Sequence, residues 1–146
     1  MDADQGEDHA REVEGAVGAA GRGWPALRAA VLDALPASSG PSGSLKVDVR
    51  FEDGSAKTVS IAPLHTLGLH LLEFRCDVCH ADQLSLDAAL AMNITLAIPA
   101  LALADGRYLL RYSALAESLD AHAVAGIVRV LASSADIIAH PPPAPR

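Results

Sequence analysis

The stretch Leu101-Ala-Leu-Ala-Asp-Gly-Arg-Tyr-Leu-Leu-Arg-Tyr112 is typical of a β-hairpin, because two apolar runs flank an Asp-Gly pair. Asp-Gly suits a two-residue hairpin turn, since both turn positions need a positive φ angle. Further along, Asp120 stands where it can cap a helix. The residues after it place Val124, Ile127, Val128, Leu131, Ala135 and Ile138 at helical spacing. The sequence therefore predicts a hairpin turned at Asp105-Gly106 and then an amphipathic helix.

Upstream of this hairpin, the first part of the sequence changes from helical to alternating periodicity. Pro25 can occupy the first turn of a helix, and apolar residues then recur at helical spacing until Pro36. We expect the turn-rich residues 37–44 to form a linker. The alternation that follows predicts a second hairpin with its turn at Asp53-Gly54. Its strands are Leu45 to Phe51 and Lys57 to Ile61, the latter ended by Pro63.

The middle of the sequence predicts a third strand, a short helix and a long fourth strand. The third strand runs from about Leu69 to Val78, with alternate apolar residues on one face. Asp82 or Ser85 can cap a helix that ends near Met92. This helix is expected to bury Leu86, Ala89 and Leu90. The fourth strand starts at Ile94 and carries a bulge at Pro99 before it enters the hairpin.

The order α-β-β-β-α-β-β-α predicts an α+β fold, in which helices pack on a five-stranded, mainly antiparallel sheet. A chain of 146 residues fits one such domain. We expect the domain to span residues 24–140, after a mobile acidic arm at 1–23 and before a disordered, proline-rich tail at 141–146.

The composition narrows the classes of partner. A net charge of −7 and a pI near 5.2 argue against nucleic acid and anionic membranes as ligands. Aromatic residues make up 3% of the chain, so the core is aliphatic, and such small domains often gain stability by pairing with a second copy. The acidic N-terminal residues lack the features of a signal peptide, and no apolar run reaches the roughly 20 residues of a membrane span. We therefore expect a cytoplasmic homodimer without membrane insertion.

The segment Cys76-Asp-Val-Cys79-His80 has the form of a c-type haem attachment site, but such attachment requires export. A zinc site is the other interpretation, with Cys76, Cys79 and one of His65, His70 or His80, because thiolates and imidazoles are preferred zinc ligands. On a regular strand Cys76 and Cys79 point to opposite faces, so both could bind one ion only if the segment leaves the strand after Arg75. We expect no cofactor and regard Cys76, Cys79 and His80 as weak metal candidates, with Cys76 a core residue.

The sequence contains no catalytic signature. Gly-x-Ser-x-Gly, a phosphate-binding glycine-rich loop and His-Glu-x-x-His are all absent from it. We therefore expect no catalytic residues and a protein that is not an enzyme.

Two segments carry a resemblance to a known family. These are Leu84-Ser-Leu-Asp-Ala-Ala-Leu-Ala-Met-Asn93 and Tyr108-Leu-Leu-Arg-Tyr-Ser-Ala-Leu-Ala-Glu-Ser-Leu-Asp-Ala-His-Ala-Val124, the latter leading into the terminal helix. Together with the element order, they resemble the Tir chaperone (CesT-type) family, the class I chaperones of type III secretion. The related YbjN-like proteins share the pattern.

The resemblance implies a small cytoplasmic homodimer that binds the N-terminal segment of secreted effector proteins and keeps it competent for secretion. It places the dimer interface on the short helix and the neighbouring strand, at Leu86, Leu90, Ile94 and Leu96. It places effector binding on the first helix and the first two strands, at Leu27, Val31, Val47, Val49, Phe51 and Val59. The alternatives are a YbjN-like regulatory protein that acts outside secretion and a small zinc-binding protein.

Overall fold

A computed structural model describes residues 23–143 and 145–146 of the chain. The predicted mobile arm lies outside the described residues, except for Gly23. The helices are α1 (23–34), α2 (Leu86–Thr95) and α3 (Ala121–Ala139). The strands are β1 (Ala37–Ser39), β2 (Leu45–Arg50), β3 (Ala56–Thr66), β4 (Leu69–His80), β5 (Ala100–Ala104) and β6 (Arg107–Leu115). Short 3₁₀ turns lie at Pro41–Gly43, Ala81–Gln83 and Ala116–Ser118.

The described strands form one antiparallel sheet in the order β1-β2-β3-β4-β6-β5. The α+β class is confirmed, with six strands where five were predicted. The additional strand is β1, which lies in the residues predicted as a linker. It is three residues long, and its pairing with Leu45 to Val47 is a long-range effect that turn-forming residues do not signal.

The core lies between one face of the sheet and the helices α1 and α3. The alternating residues of the strands provide one side of it, with Phe74 and Leu72 fully buried at its centre. Val31 of α1 and Leu131 of α3 are buried in the same cluster. Each such side chain contributes about 1.5–3 kcal/mol by leaving water. The helix-facing positions in this core are Leu45, Val47, Val59, Ile61, Leu72, Phe74, Cys76, Tyr108 and Leu110.

Both predicted Asp-Gly turns are confirmed. Asp105 and Gly106 have φ angles of 51° and 73°, as a two-residue turn with two left-handed positions requires. In the other turn, the Asp53 carboxylate accepts hydrogen bonds from the Ser55 amide and hydroxyl at 2.8 and 2.5 Å. These bonds lower the pKa of Asp53. Local side-chain chemistry thus sets both turns.

Two strand boundaries were predicted wrongly at prolines. Pro63 does not end β3, which continues to Thr66 in register with β4. The first residue of β2, Leu45, pairs with Ile61, so Pro63 lies beyond β2 where β3 has one strand neighbour. Such a position tolerates proline. Ile94 does not begin a strand, because α2 continues to Thr95 and β5 starts at Ala100, after Pro99.

The predicted caps are confirmed at both later helices. The Ser85 side chain accepts the Ala88 amide of α2, and the Asp120 carboxylate accepts the Ala123 amide of α3 at 2.7 Å. The 19 residues of α3 are long and apolar enough to cross a membrane by length and composition alone, a test that core helices also pass. In the fold, one face of α3 packs on the sheet as a core helix, with Val124, Val128, Leu131, Ala132 and Ala135 buried.

Candidate protein-binding surface

Helix α2 presents an apolar row to the outside of the domain. Leu86, Leu90 and Ile94 are 60%, 58% and 87% exposed, and their spacing of four residues places them on one side of the helix. The prediction that Leu86 and Leu90 are buried is therefore wrong for a single chain, whereas Ala89 is buried as predicted. Three adjacent exposed aliphatic side chains on one helix are typical of a surface that contacts another protein.

The position of α2 is fixed by hydrogen bonds to the edge strand. The Asn93 side chain accepts from the Leu101 amide at 2.6 Å and donates to the Leu101 carbonyl at 3.1 Å. Leu101 pairs with Leu110 of β6 on its other side. Because Asn93 occupies both outward backbone groups of Leu101, it blocks the position at which another strand would join β5. The apolar row is thus held beside the β5 edge, which Asn93 covers at Leu101.

Behind the apolar row lies a cavity of about 490 Å³ between α2 and the C-terminal end of α3. Its walls are mainly aliphatic, and they include Met92 and Leu96 on one side and Ile138 on the other. Leu96, one of the four predicted dimer residues, therefore faces this cavity, while the other three form the exposed row. Cys79 also contributes to the cavity wall.

The predicted effector-binding residues divide into two groups. Val31, Val47 and Val59 are buried in the core, where a partner cannot reach them without opening the domain. The other residues, Leu27, Val49 and Phe51, are half-buried at the margin of the core. Direct contact with a partner is therefore restricted to this second group.

The sheet edge beside these residues is open at one position. Strand β1 pairs with Leu45 to Val47 alone, and the Asp48 amide donates to the Pro36 carbonyl at 3.2 Å. Alternate residues of a strand direct their backbone groups to the same side, so the backbone of Arg50 also faces outward. Within the described part of the chain, no strand lies beside β2 at Arg50. An extended peptide could pair there.

The two cysteines lie on the helix-covered side of β4. A bulge between Asp77 and Cys79 changes the register, so that Cys76 pairs with Leu110 and Cys79 with Tyr108. Leu110 and Tyr108 alternate along β6 and are both buried, so the two cysteines share a face. The regular strand on which they would point to opposite faces is interrupted by this bulge.

Cys76 and His80 lie in different environments. Burial raises the pKa of the Cys76 thiol from 9.0 to about 11. His80 lies at the end of β4 with its Nε2 atom 2.9 Å from the Arg107 guanidinium. Within residues 23–143 and 145–146, no three side chains of His, Cys, Asp or Glu come together as metal ligands would.

Comparisons with known proteins establish the fold and leave the family open. The chain is similar to a chain in the crystal structure of the ExsC–ExsE complex, with a TM-score of 0.53 and 16% sequence identity. The match covers 75% of this chain and 83% of the other. No model of a protein family and no curated protein matches the sequence. The arrangement of helices on the antiparallel sheet thus occurs in a protein that forms a complex with another protein.

Proposed function

We propose that this protein is a homodimeric type III secretion chaperone that holds an extended segment of a secreted effector protein in the cytoplasm, without catalysis. The resemblance of residues 84–93 and 108–124 to the CesT-type family supports this proposal, as does the fold shared with a chain of the ExsC–ExsE complex. The observation that carries it is the exposed row of Leu86, Leu90 and Ile94 on a helix that the fold fixes in place.

In this proposal, the apolar row of α2 is covered by the same row of a second copy. A symmetric contact pairs one surface patch with itself, and a row along a helix suits such self-pairing. Ile98 and Leu103 follow in the chain and are 44% and 54% exposed, which extends the apolar area beyond the helix. Leu96 would complete the interface through the cavity behind α2.

The effector segment would bind at the opposite edge of the sheet. An extended peptide beside β2 could pair with the outward backbone groups of Arg50, and its apolar side chains could pack on Val49 and Phe51. Leu27 would add contact area from α1. At the β5 edge, Asn93 already occupies the outward backbone groups of Leu101.

A pull-down from the native cell tests the proposal. The tagged chain is expected to recover a secreted protein, and limited proteolysis should then show that a segment near the N-terminus of that protein is protected. Phe51→Asp should reduce this recovery, whereas Leu67→Asp, a charge on a residue 95% exposed at the β3–β4 turn, should leave it unchanged. Recovery without any secreted protein would contradict the proposal.

A further inference from the structure

The face of the sheet opposite the helices carries a charge unlike that of the whole protein. The residues on this face alternate along each strand with the core residues. Those with charged side chains are five cations and three carboxylates. The cations are Lys46, Arg50, Arg75, Arg107 and Arg111, and the carboxylates are Asp48, Glu73 and Asp77. A face with excess positive charge therefore lies on a chain with a net charge of −7. We call these eight residues the basic face.

Three of these cations lie in one row across the strands. The register pairs Lys46 with Ser60, Ser60 with Arg75, and Arg75 with Arg111. Like charges placed directly opposite each other in a sheet are destabilising, so the Arg75–Arg111 pair needs a compensating group. That group is Glu73.

The Glu73 carboxylate bonds to both guanidinium groups. It accepts from Nε of Arg75 and from Nε of Arg111, both at 2.6 Å. The Glu73 side chain is 10% exposed, whereas Arg75 and Arg111 are 52% and 48% exposed. Arg75 uses Nε alone, so its two terminal amino groups have no hydrogen-bond partner among the described residues. One carboxylate thus holds two arginines in place and leaves donors directed to solvent.

A groove of about 380 Å³ lies next to this row. Its lining includes the neutral side chains Thr58 and Ser60, the cations Arg75 and Arg107, and the carboxylate Asp77. Arg107 is itself bonded to Asp77 at 3.2 Å. The guanidinium of Arg75 therefore borders the groove with free donors, and guanidinium groups bind carboxylates as paired hydrogen-bond donors.

We propose that the basic face binds an acidic polypeptide segment that runs across the strands, with Asp or Glu side chains on Lys46, Arg75 and Arg111. Charge complementarity identifies the partner, and the net charge of −7 disfavours the longer polyanions of nucleic acid. An extended peptide of about ten residues reaches across this sheet, since strands lie about 4.8 Å apart and residues rise about 3.3 Å. Of the three contact residues, none lies on α2 and none is the edge residue Arg50, so the inference stands or falls independently of the chaperone proposal.

Fluorescence anisotropy of a labelled peptide of about ten residues tests this inference with the full chain at low salt. A peptide with alternating Glu and Gly is expected to bind, and the same peptide with Gln in place of Glu is expected not to bind. Removing one charge-assisted contact by Arg75→Gln or Arg111→Gln should weaken binding about tenfold. Lys46→Gln should weaken it about threefold without risk to the fold, because Lys46 forms no ion pair with another described residue. Arg129→Gln, on the exposed side of α3, is the matched control.

Three results would overturn the inference. The first is equal binding of the Glu and Gln peptides. The second is a loss of binding in Arg129→Gln as large as that in Arg75→Gln. The third is tighter binding of a single-stranded oligonucleotide with the same number of charges, which would assign the face to nucleic acid. Circular dichroism of each variant separates a lost contact from a lost fold.

Discussion

The side chain of Asn93 bonds both outward backbone groups of Leu101, with Oδ1 at 2.6 Å from the amide nitrogen and Nδ2 at 3.1 Å from the carbonyl oxygen. Its amide therefore takes the place that a neighbouring strand would occupy beside β5. The same two bonds hold the last turn of α2 against the sheet. One residue thus covers the sheet edge at Leu101 and fixes the helix that carries the exposed apolar row.

Asn93→Ala is expected to lower the free energy of unfolding by about 1–3 kcal/mol, because two partly buried backbone groups lose their partners. Hydrogen exchange of the Leu101 amide should become faster in the same variant. Asn93→Asp is the matched control, since its carboxylate still accepts from the amide but cannot donate to the carbonyl. An Asp variant as unstable as the Ala variant, with unchanged exchange at Leu101, would contradict this role.

Leu90→Glu is expected to convert the protein from a dimer to a monomer with little change in stability, because the side chain is 58% exposed within one chain. Burying an unpaired charge in an apolar contact is energetically costly, so the substitution destabilises the dimer and not the folded chain. Sedimentation velocity measures the change. Leu67→Glu places the same charge on another exposed leucine, at the β3–β4 turn, and should remain dimeric. A dimer in both variants would remove α2 from the interface.

Asp120→Ala should lower the free energy of unfolding by about 1 kcal/mol, within a range of 0.5–2, because the Ala123 amide at the start of α3 loses its acceptor. Asp120→Asn retains an acceptor oxygen and is expected to keep most of the stability. Urea denaturation of the two variants measures the difference. Equal loss in both would show that the negative charge, and not the hydrogen bond, stabilises α3.

The buried thiol of Cys76 predicts a loss of stability at alkaline pH. Burial raises its pKa from 9.0 to about 11, so the folded state retains a proton that the unfolded state releases. The contribution is complete below pH 9 and is lost as the pH rises from 9 to 11. Denaturation at these pH values should show a smaller decline in Cys76→Ala than in the unaltered protein. A parallel decline in both would assign the effect to other groups.

Local chemistry accounts for the elements that could be predicted. Asp105-Gly106, Asp53-Gly54, Ser85 and Asp120 each act on backbone within a few residues, so the turns and caps follow from the sequence. The elements that could not be predicted depend on partners distant in the chain. Strand β1 exists because it pairs with β2, and the Leu67-Gly68 turn joins β3 and β4 with a leucine at a φ angle of 51°. Leucine gives no signal for such a turn.

The apolar row of α2 and the basic face also differ in how far the sequence predicts them. The spacing of Leu86, Leu90 and Ile94 is visible in the sequence, although a single chain leaves these residues exposed, against the expected burial. The basic face was not predicted, because Lys46, Arg75 and Arg111 are far apart in the chain and meet through the register of three strand pairs. The signal that the sequence does carry is the alternation of Glu73, Arg75 and Asp77 with the apolar residues of β4.

The mass of the complex recovered from the native cell tests the central claim most directly. Light scattering of the tagged chain with its captured partner should give two copies of the 15.1 kDa chain together with a secreted protein. With Leu90→Glu, the recovered complex should contain one copy of the chain in place of two. A monomer of 15.1 kDa that carries no secreted protein would contradict the account of a dimeric secretion chaperone.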